Sequence, residues 1–203
     1  MARTDFEDEG GSIFISFGEN SAGTRYPVLV DNSGQLLVSG GSGGTADLGK
    51  VGSYGTSLRA VPTVTSGTAY AANENVGERL EFTGAARNTG GGGVITDVVF
   101  VDGDGQDKEI ELWLFDRSFT AGTDKASWSC GTADLTNIVG VISSAQSDEG
   151  WVAAGTPSVC TVEGISLRYD CNATSLFGRH VTRSTPTFTT TASLKTKIGV
   201  LQD

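Results

Sequence analysis

The sequence has little of the chemistry on which many enzymes and metalloproteins depend. Its 203 residues include one histidine, His180, and three widely spaced cysteines, Cys130, Cys160 and Cys171. One histidine excludes a site built from several, and the cysteines lack the close pairs of zinc ribbons and redox motifs. We expect small buried thiols, with one disulfide between two of them as the alternative, and we expect no metal and no cofactor.

Positive charge and long apolar runs are also scarce. Lys and Arg total 14 against 24 Asp and Glu, which gives a formal net charge of −10. This balance is the opposite of the basic footprint of nucleic-acid-binding proteins. No run approaches the roughly 18 apolar residues of a membrane span, and the acidic first residues do not resemble a secretion signal. We expect a soluble protein, synthesised in the cytoplasm, with neither nucleic acid nor membrane as partner.

Glycine, by contrast, is abundant, with 29 residues, while proline occurs only four times. With Ser, Thr and short apolar runs, this composition predicts many short strands joined by turns. Four consecutive glycines, residues 90–93, precede a β-branched run that ends at Asp102. Because a strand rather than a helix follows them, we interpret these glycines as a strand connector and not as a phosphate cradle.

From about residue 58 the pattern predicts an antiparallel β-sandwich. The last strand is the clearest, because apolar residues alternate with Lys195 and Lys197. One short helix is predicted at residues 134–139. The predicted strands are residues 60–64, 79–83, 93–102, 108–116, 138–143, 151–154, 158–162, 165–169, 175–182 and 194–201.

The first fifty residues differ from the rest. They hold short apolar pieces with a turn at residues 32–34 between two of them, followed by a Gly- and Ser-rich stretch typical of a flexible linker. We therefore divide the chain into residues 1–50, an extended N-terminal arm with a short hairpin and a Gly/Ser-rich linker, and residues 51–203, the β-sandwich domain.

Two motifs match ligand-binding loops only in part. "GTADLGK", residues 44–50, fits the phosphate-loop pattern, but Val51 stands where Ser or Thr must hold magnesium. The segment that begins at Asp102 starts like a calcium-binding EF-hand loop, yet Asp107 replaces the required glycine and Trp113 the bidentate glutamate. We interpret it as a solvated hairpin, with a casual cation site of Asp102, Asp104 and Asp107 as the alternative.

No residue is assigned a catalytic role. A Ser-His-Asp arrangement would have to use His180, and no G-x-S-x-G segment supplies its serine. We expect His180 to be a surface or interface side chain. We expect Trp113, Trp128 and Trp151 to fill the core, as large aromatic residues usually do.

Three stretches together resemble landmarks of a family of tailed-bacteriophage virion proteins: "AARNTGGGGVITDVVFVDGDGQDKEIELWLFD", "TADLTNIVGVIS" and "VTRSTPTFTTTASLKTKIGVLQD". Their order and spacing agree over residues 77–203, and the family is similar to head decoration, or cement, proteins. The resemblance implies a non-enzymatic, jelly-roll-like β-sandwich, often a homotrimer. It further implies synthesis in the host cytoplasm and a place on the outer head surface of the virion, where the protein binds the major capsid protein and bridges capsomers.

The arm carries the residues that we expect to bind the capsid. An arm that orders on binding loses entropy, and linkage through a trimer offsets that loss through avidity. Because "YPVLVDNSGQLLVSG" also resembles a segment of phage tail components, a tail or baseplate protein that contacts host glycans is the alternative function. The expected capsid-binding residues are Ile13, Phe14, Ile15, Phe17, Val28, Leu29, Val30, Leu36 and Leu37.

Deletion of residues 1–50 should leave a folded, soluble domain that no longer binds phage heads, because the apolar anchors are lost while the sandwich is kept. Circular dichroism checks the fold, and co-sedimentation with heads assembled without the protein checks the binding. Full occupancy of the heads by the shortened protein would contradict the assignment of the arm.

Overall fold

A computed structural model describes residues 54–202, together with the backbone of three short strands at residues 15–19, 25–30 and 36–37. The chain divides into two compact units, Met1–Gly52 and Ser53–Asp203. In the first unit, β1 (Ile15–Glu19), β2 (Arg25–Val30) and β3 (Leu36–Leu37) form an antiparallel sheet in the order β1-β2-β3. β2 pairs with β3, Leu29 opposite Leu37 and Val30 opposite Leu36, while the predicted turn at residues 32–34 lies outside the described residues.

The second unit is an antiparallel β-sandwich of two sheets. The first sheet has the order β4-β13-β6-β10-β9, with β11 also paired to β6, and the second has the order β5-β12-β7-β8. The described residues contain no α-helix, only two single 3₁₀ turns. The strands are β4 (Tyr54–Ala60), β5 (Asn75–Thr83), β6 (Gly92–Asp102), β7 (Ile110–Phe115), β8 (Ile138–Ser143), β9 (Trp151–Ala153), β10 (Ser158–Val162), β11 (Leu167–Asp170), β12 (Ser175–Thr182) and β13 (Leu194–Gln202).

The alternation of side chains along each strand builds the core between the sheets. On β13, Leu194, Ile198 and Val200 are buried, whereas Lys195 is exposed. Successive side chains of a strand point to opposite faces, so this pattern turns one face of β13 towards the second sheet. The inner faces of both sheets contribute to one apolar cluster, whose fully enclosed members include Ile95, Val98, Phe100, Leu112, Leu114, Leu176, Leu194 and Ile198.

The predicted strands 138–143, 158–162 and 175–182 are confirmed to the residue as β8, β10 and β12. The predicted strand 60–64 was wrong, because the chain pairs with β13 earlier, over Tyr54–Ala60, and Pro62 then follows without a backbone donor. The predicted helix 134–139 was also wrong. A 3₁₀ turn ends at Asn137, and the β-branched residues after it pair with β7 as β8.

The four glycines at residues 90–93 join β5 to β6, as expected, and the last two of them belong to β6 itself. Gly90 has a φ of +76°, the left-handed conformation of a tight turn. A Cβ on Gly93 would lie 2.2 Å from the carbonyl oxygen of Leu201, so glycine is required at the start of β6, where the end of β13 pairs with it.

The outer face of the second sheet is covered by residues 116–134, which follow β7 and which we call the covering segment. Phe115 on β7 stacks on Phe119 at a ring separation of 3.9 Å, and Trp113 packs against Trp128 at 5.2 Å. The tryptophans were predicted in the core, but Trp113, Trp128 and Trp151 are all half-buried. Trp113 and Trp128 lie in this outer cluster because the odd-numbered positions of β7 face away from the first sheet.

Replacement of Gly77 should destabilise the sandwich more than replacement of Gly84. Both residues have positive φ, +73° and +77°, so alanine at either costs roughly 1–2 kcal/mol of backbone strain. A Cβ at Gly77 would also lie 2.5 Å from Cβ of Pro62, whereas one at Gly84 has nothing within 4 Å. We expect G77A to lose about 1–3 kcal/mol more free energy of unfolding than G84A in urea titrations. Equal losses would contradict the packing described for Gly77.

Candidate functional site

His180 lies between the two sheets and is completely buried. Its Nε2 is 2.6 Å from Oγ1 of Thr196 on β13, and its ring centroid is 6.2 Å from that of Phe100. Burial and, to a smaller extent, the charge of Arg179 lower the pKa of His180 from 6.5 to about 3. The imidazole is therefore neutral at physiological pH and closed to a substrate. The expectation of a surface or interface side chain was wrong, because His180 has the inward parity of Leu176 and Gly178 on β12.

The carboxylates after β6 stabilise their own loop. Asp102 accepts hydrogen bonds from the backbone N–H of Asp104, at 2.9 Å, and of Gln106, at 2.8 Å. Asp104 in turn accepts from the backbone N–H of Thr189, at 2.9 Å, and from its hydroxyl. Burial opposes ionisation of Asp104, but these bonds outweigh it and lower its pKa. The loop connects β6 of the first sheet to β7 of the second, so the predicted hairpin was wrong: the two strands do not pair with each other. Within residues 54–202 no cluster of three or more His, Cys, Asp or Glu side chains could hold a metal ion.

A polar network that the sequence did not reveal surrounds Asp124. Its carboxylate accepts from the Tyr70 hydroxyl at 2.9 Å, from the Gly77 backbone N–H at 2.6 Å and from the Thr65 backbone N–H at 2.9 Å. Burial, and then the neighbouring carboxylate, raise the pKa of Tyr70. Through these hydrogen bonds Asp124 links the covering segment to β5, at Gly77, and to the β4–β5 connection, at Thr65 and the neutral Tyr70. The acceptor lies 54 residues from Tyr70 in the sequence, so no local motif predicts it.

Arg179 reinforces the same region from the outer side of β12. Its side chain is enclosed, with 1% of the residue exposed. Its Nε donates to Oδ1 of Asn75 at 3.1 Å, and its Nη2 donates to the carbonyl oxygen of Gly122. Burial lowers the pKa of this guanidinium. Arg179 is a structural link between β12, β5 and the covering segment, and its side chain is almost entirely enclosed.

The three cysteines are free thiols, so the disulfide alternative was wrong. Cys160 and Cys171 are buried, as expected, whereas Cys130 is half-buried. The Sγ of Cys160 lies 3.3 Å from the carbonyl oxygen of Ser144. Burial, aided by the charges of Asp116 and Asp170, raises the pKa of Cys171 to about 11. Protonated thiols are weak nucleophiles, so Cys160 and Cys171 act as small core side chains.

An acidic hollow is the most chemically distinct surface feature of the second unit. It is a concave region of about 510 Å³ between β9, β10 and the turn before β9. Its carboxylates, Asp148, Glu149 and Glu163, are exposed. Apolar contact is offered by Val152 and Val159. We call this region the acidic hollow; its three exposed carboxylates attract cationic groups.

The nine predicted capsid-binding residues fall in the first unit, where side chains lie outside the described residues. Ile13 and Phe14 are not described at all, and the "GTADLGK" segment is likewise outside the described residues. The remaining predicted residues are described by their backbone only: Ile15 and Phe17 on β1, Val28, Leu29 and Val30 on β2, and Leu36 and Leu37 on β3.

Comparison with known proteins gives no match: no family model, no curated protein and no solved structure is similar to the chain. Among the helices of the described residues, none is long and apolar enough to cross a membrane.

Acid should destabilise the protein partly through His180. The pKa of His180 is near 6.5 in the unfolded chain but about 3 in the folded protein. Below pH 6.5 the unfolded chain therefore binds a proton that the folded protein does not, and the free energy of unfolding falls as the pH falls from 6.5 towards 3. His180→Gln keeps a hydrogen-bonding side chain near Thr196 but does not titrate. Between pH 7 and pH 4.5, urea titrations should show a loss about 2–3 kcal/mol larger for wild type than for H180Q. Parallel losses in the two proteins would contradict a buried neutral imidazole.

Proposed function

We propose that the protein is a non-enzymatic structural component of a tailed-phage virion. In this proposal it is a decoration, or cement, protein that binds the major capsid protein on the outer head surface and bridges capsomers. One observation carries the non-enzymatic part: the side chains best suited to acid–base or nucleophilic chemistry, His180, Tyr70, Cys160 and Cys171, are buried or hydrogen-bonded within the fold. What remains accessible is a surface suited to contacts.

The virion part rests on the resemblance of three sequence stretches and on where they lie. The first covers β6 and β7, the second covers β8, and the third includes the end of β12 and all of β13. These strands occupy both sheets, so the resemblance concerns the framework of the sandwich and not one local motif. A sandwich of this kind is a common rigid module in proteins that act through their surfaces, although fold alone never decides function.

Charge and chain organisation support an exterior position. A net charge of −10 makes coated particles repel one another, whereas a protein beside packaged DNA benefits from positive charge. We propose that residues 1–50 contact the capsid and that the sandwich self-associates as a homotrimer. Three linked arms raise avidity by about 100-fold or more without any new kind of contact, provided that each linker reaches its site.

The proposal is tested by incubating the full-length protein with heads assembled without it and sedimenting them. We expect saturable binding at a fixed number of chains per head and greater resistance of the coated heads to heat or low salt, because bridged capsomers separate less readily. Binding to purified tails and not to heads would overturn the capsid assignment in favour of the tail or baseplate alternative, and host-glycan arrays would then identify the ligand.

Hydrolysis of phage or host polymers by the purified protein would contradict the non-enzymatic assignment. For the head-binding measurement, the control variant is His180→Gln. It should bind heads like wild type, because the imidazole is enclosed between the sheets and cannot contact the capsid.

A further inference from the structure

The two outer faces of the sandwich differ in how they are covered. The segment after β7 packs on the second sheet through Phe119 and Trp128. On the first sheet, by contrast, outward side chains such as Val99 and Val101 on β6 stay half-exposed, and Val152 on β9 is 51% exposed. The outer face of the second sheet is thus covered by the chain's own segment, whereas the outer face of the first sheet keeps apolar side chains exposed to solvent.

Strand register places the outward side chains of the first sheet in two adjacent rows. Directly opposite residues on neighbouring antiparallel strands share a face. The first row therefore runs Lys195, Val101, Val159, Val152 across β13, β6, β10 and β9. The second row runs Arg59, Lys197, Val99, Thr161 across β4, β13, β6 and β10. Each row begins with cations and continues into small apolar or neutral side chains.

The cationic end of these rows forms a basic strip of Arg59, Lys195 and Lys197. Arg59 lies directly opposite Lys197, a like-charge pair that is unfavourable in an isolated sheet. Within residues 54–202 none of the three cations takes part in an ion pair. The carboxylate on this face nearest in register, Asp97, lies opposite Gly199 and accepts a hydrogen bond from Thr96 at 2.8 Å. Among the described residues the strip is therefore positive and without an ion-pair partner.

The other end of the same rows lies at the acidic hollow. Val152 and Val159 from the first row and Thr161 from the second line it, and Asp148, Glu149 and Glu163 stand around it. These three carboxylates also lack ion-pair partners within the described residues. Three strand spacings separate β13 from β9, so strip and hollow lie on the order of 14 Å apart. Both patches thus fit within one interface of the usual size, about 800 Å² per partner.

We propose that this face binds a second copy of the same chain, with the basic strip of one copy seated in the acidic hollow of the other. Valines between the two patches then pack across the interface, and each copy relieves the like-charge repulsion of its neighbour. A pair related by a two-fold axis along the strands makes the contact twice, and a ring of three makes it three times. The inference deepens the self-association within the proposed function, and its test requires no capsid.

Charge reversal in the full-length protein tests the contact. The strip variant is R59E/K195E/K197E, the hollow variant is D148K/E149K/E163K, and a third variant combines all six changes and keeps the wild-type net charge. In sedimentation velocity, wild type should be a dimer or trimer that dissociates as salt rises. Each single-patch variant should self-associate about 100-fold more weakly, because like charges then face each other. The six-fold variant should regain association, since its reversed patches are complementary again.

The control R87E/K108E/R117E makes the same charge change at exposed residues outside both patches. It should associate like wild type, and thermal unfolding should confirm that every variant folds, because surface substitutions cost little. A monomeric wild type, association that survives either single-patch reversal, or loss in the control alone would overturn the proposed contact. A six-fold variant that folds but stays monomeric would overturn it as well. If wild type were monomeric but still bound heads, the proposed contact between copies would be wrong while the virion assignment would stand.

Discussion

The burial of one face of each sheet against the other is the constraint on which the rest of the second unit depends. Because side chains alternate along a strand, enclosing Leu194, Ile198 and Val200 turns Lys195 and Lys197 outwards. The same parity places His180 inside, where Thr196 satisfies one ring nitrogen across the gap between the sheets. The alternation of side chains along β13 thus produces both the apolar core and the charged outer face.

This constraint also determines where the polar residues of the second unit make their hydrogen bonds. The side chains of Asp124, Arg179 and Asp102 make hydrogen bonds that link strands to the segments beside them: Asp124 and Arg179 bond to β5, and Asp102 bonds to the loop after β6. A buried polar group without a partner is destabilising, and most polar side chains near the core are hydrogen-bonded; the exceptions are Oγ of Ser158 and Nδ1 of His180, which are buried without a partner. Exposed charges and small apolar side chains remain on the outer face of the first sheet.

The sequence predicts those features that depend on local pattern. β8, β10 and β12 follow from short runs of β-branched or apolar residues, and the glycine connector follows from turn chemistry. Features that depend on long-range pairing were missed. The strand at Tyr54–Ala60 needs β13 beside it, the hydrogen bond from Tyr70 to Asp124 joins distant segments, and the burial of His180 requires the second sheet. The basic strip and the acidic hollow become one surface only when five strands are placed in register.

The proposed function requires the protein to bind the outer surface of a phage head. The most direct measurement is electron-microscopic imaging of heads incubated with the full-length protein, with copies counted and located on each particle. We expect many copies at outer sites that repeat with the symmetry of the shell. Bare heads, or a few copies at a single vertex, would contradict it.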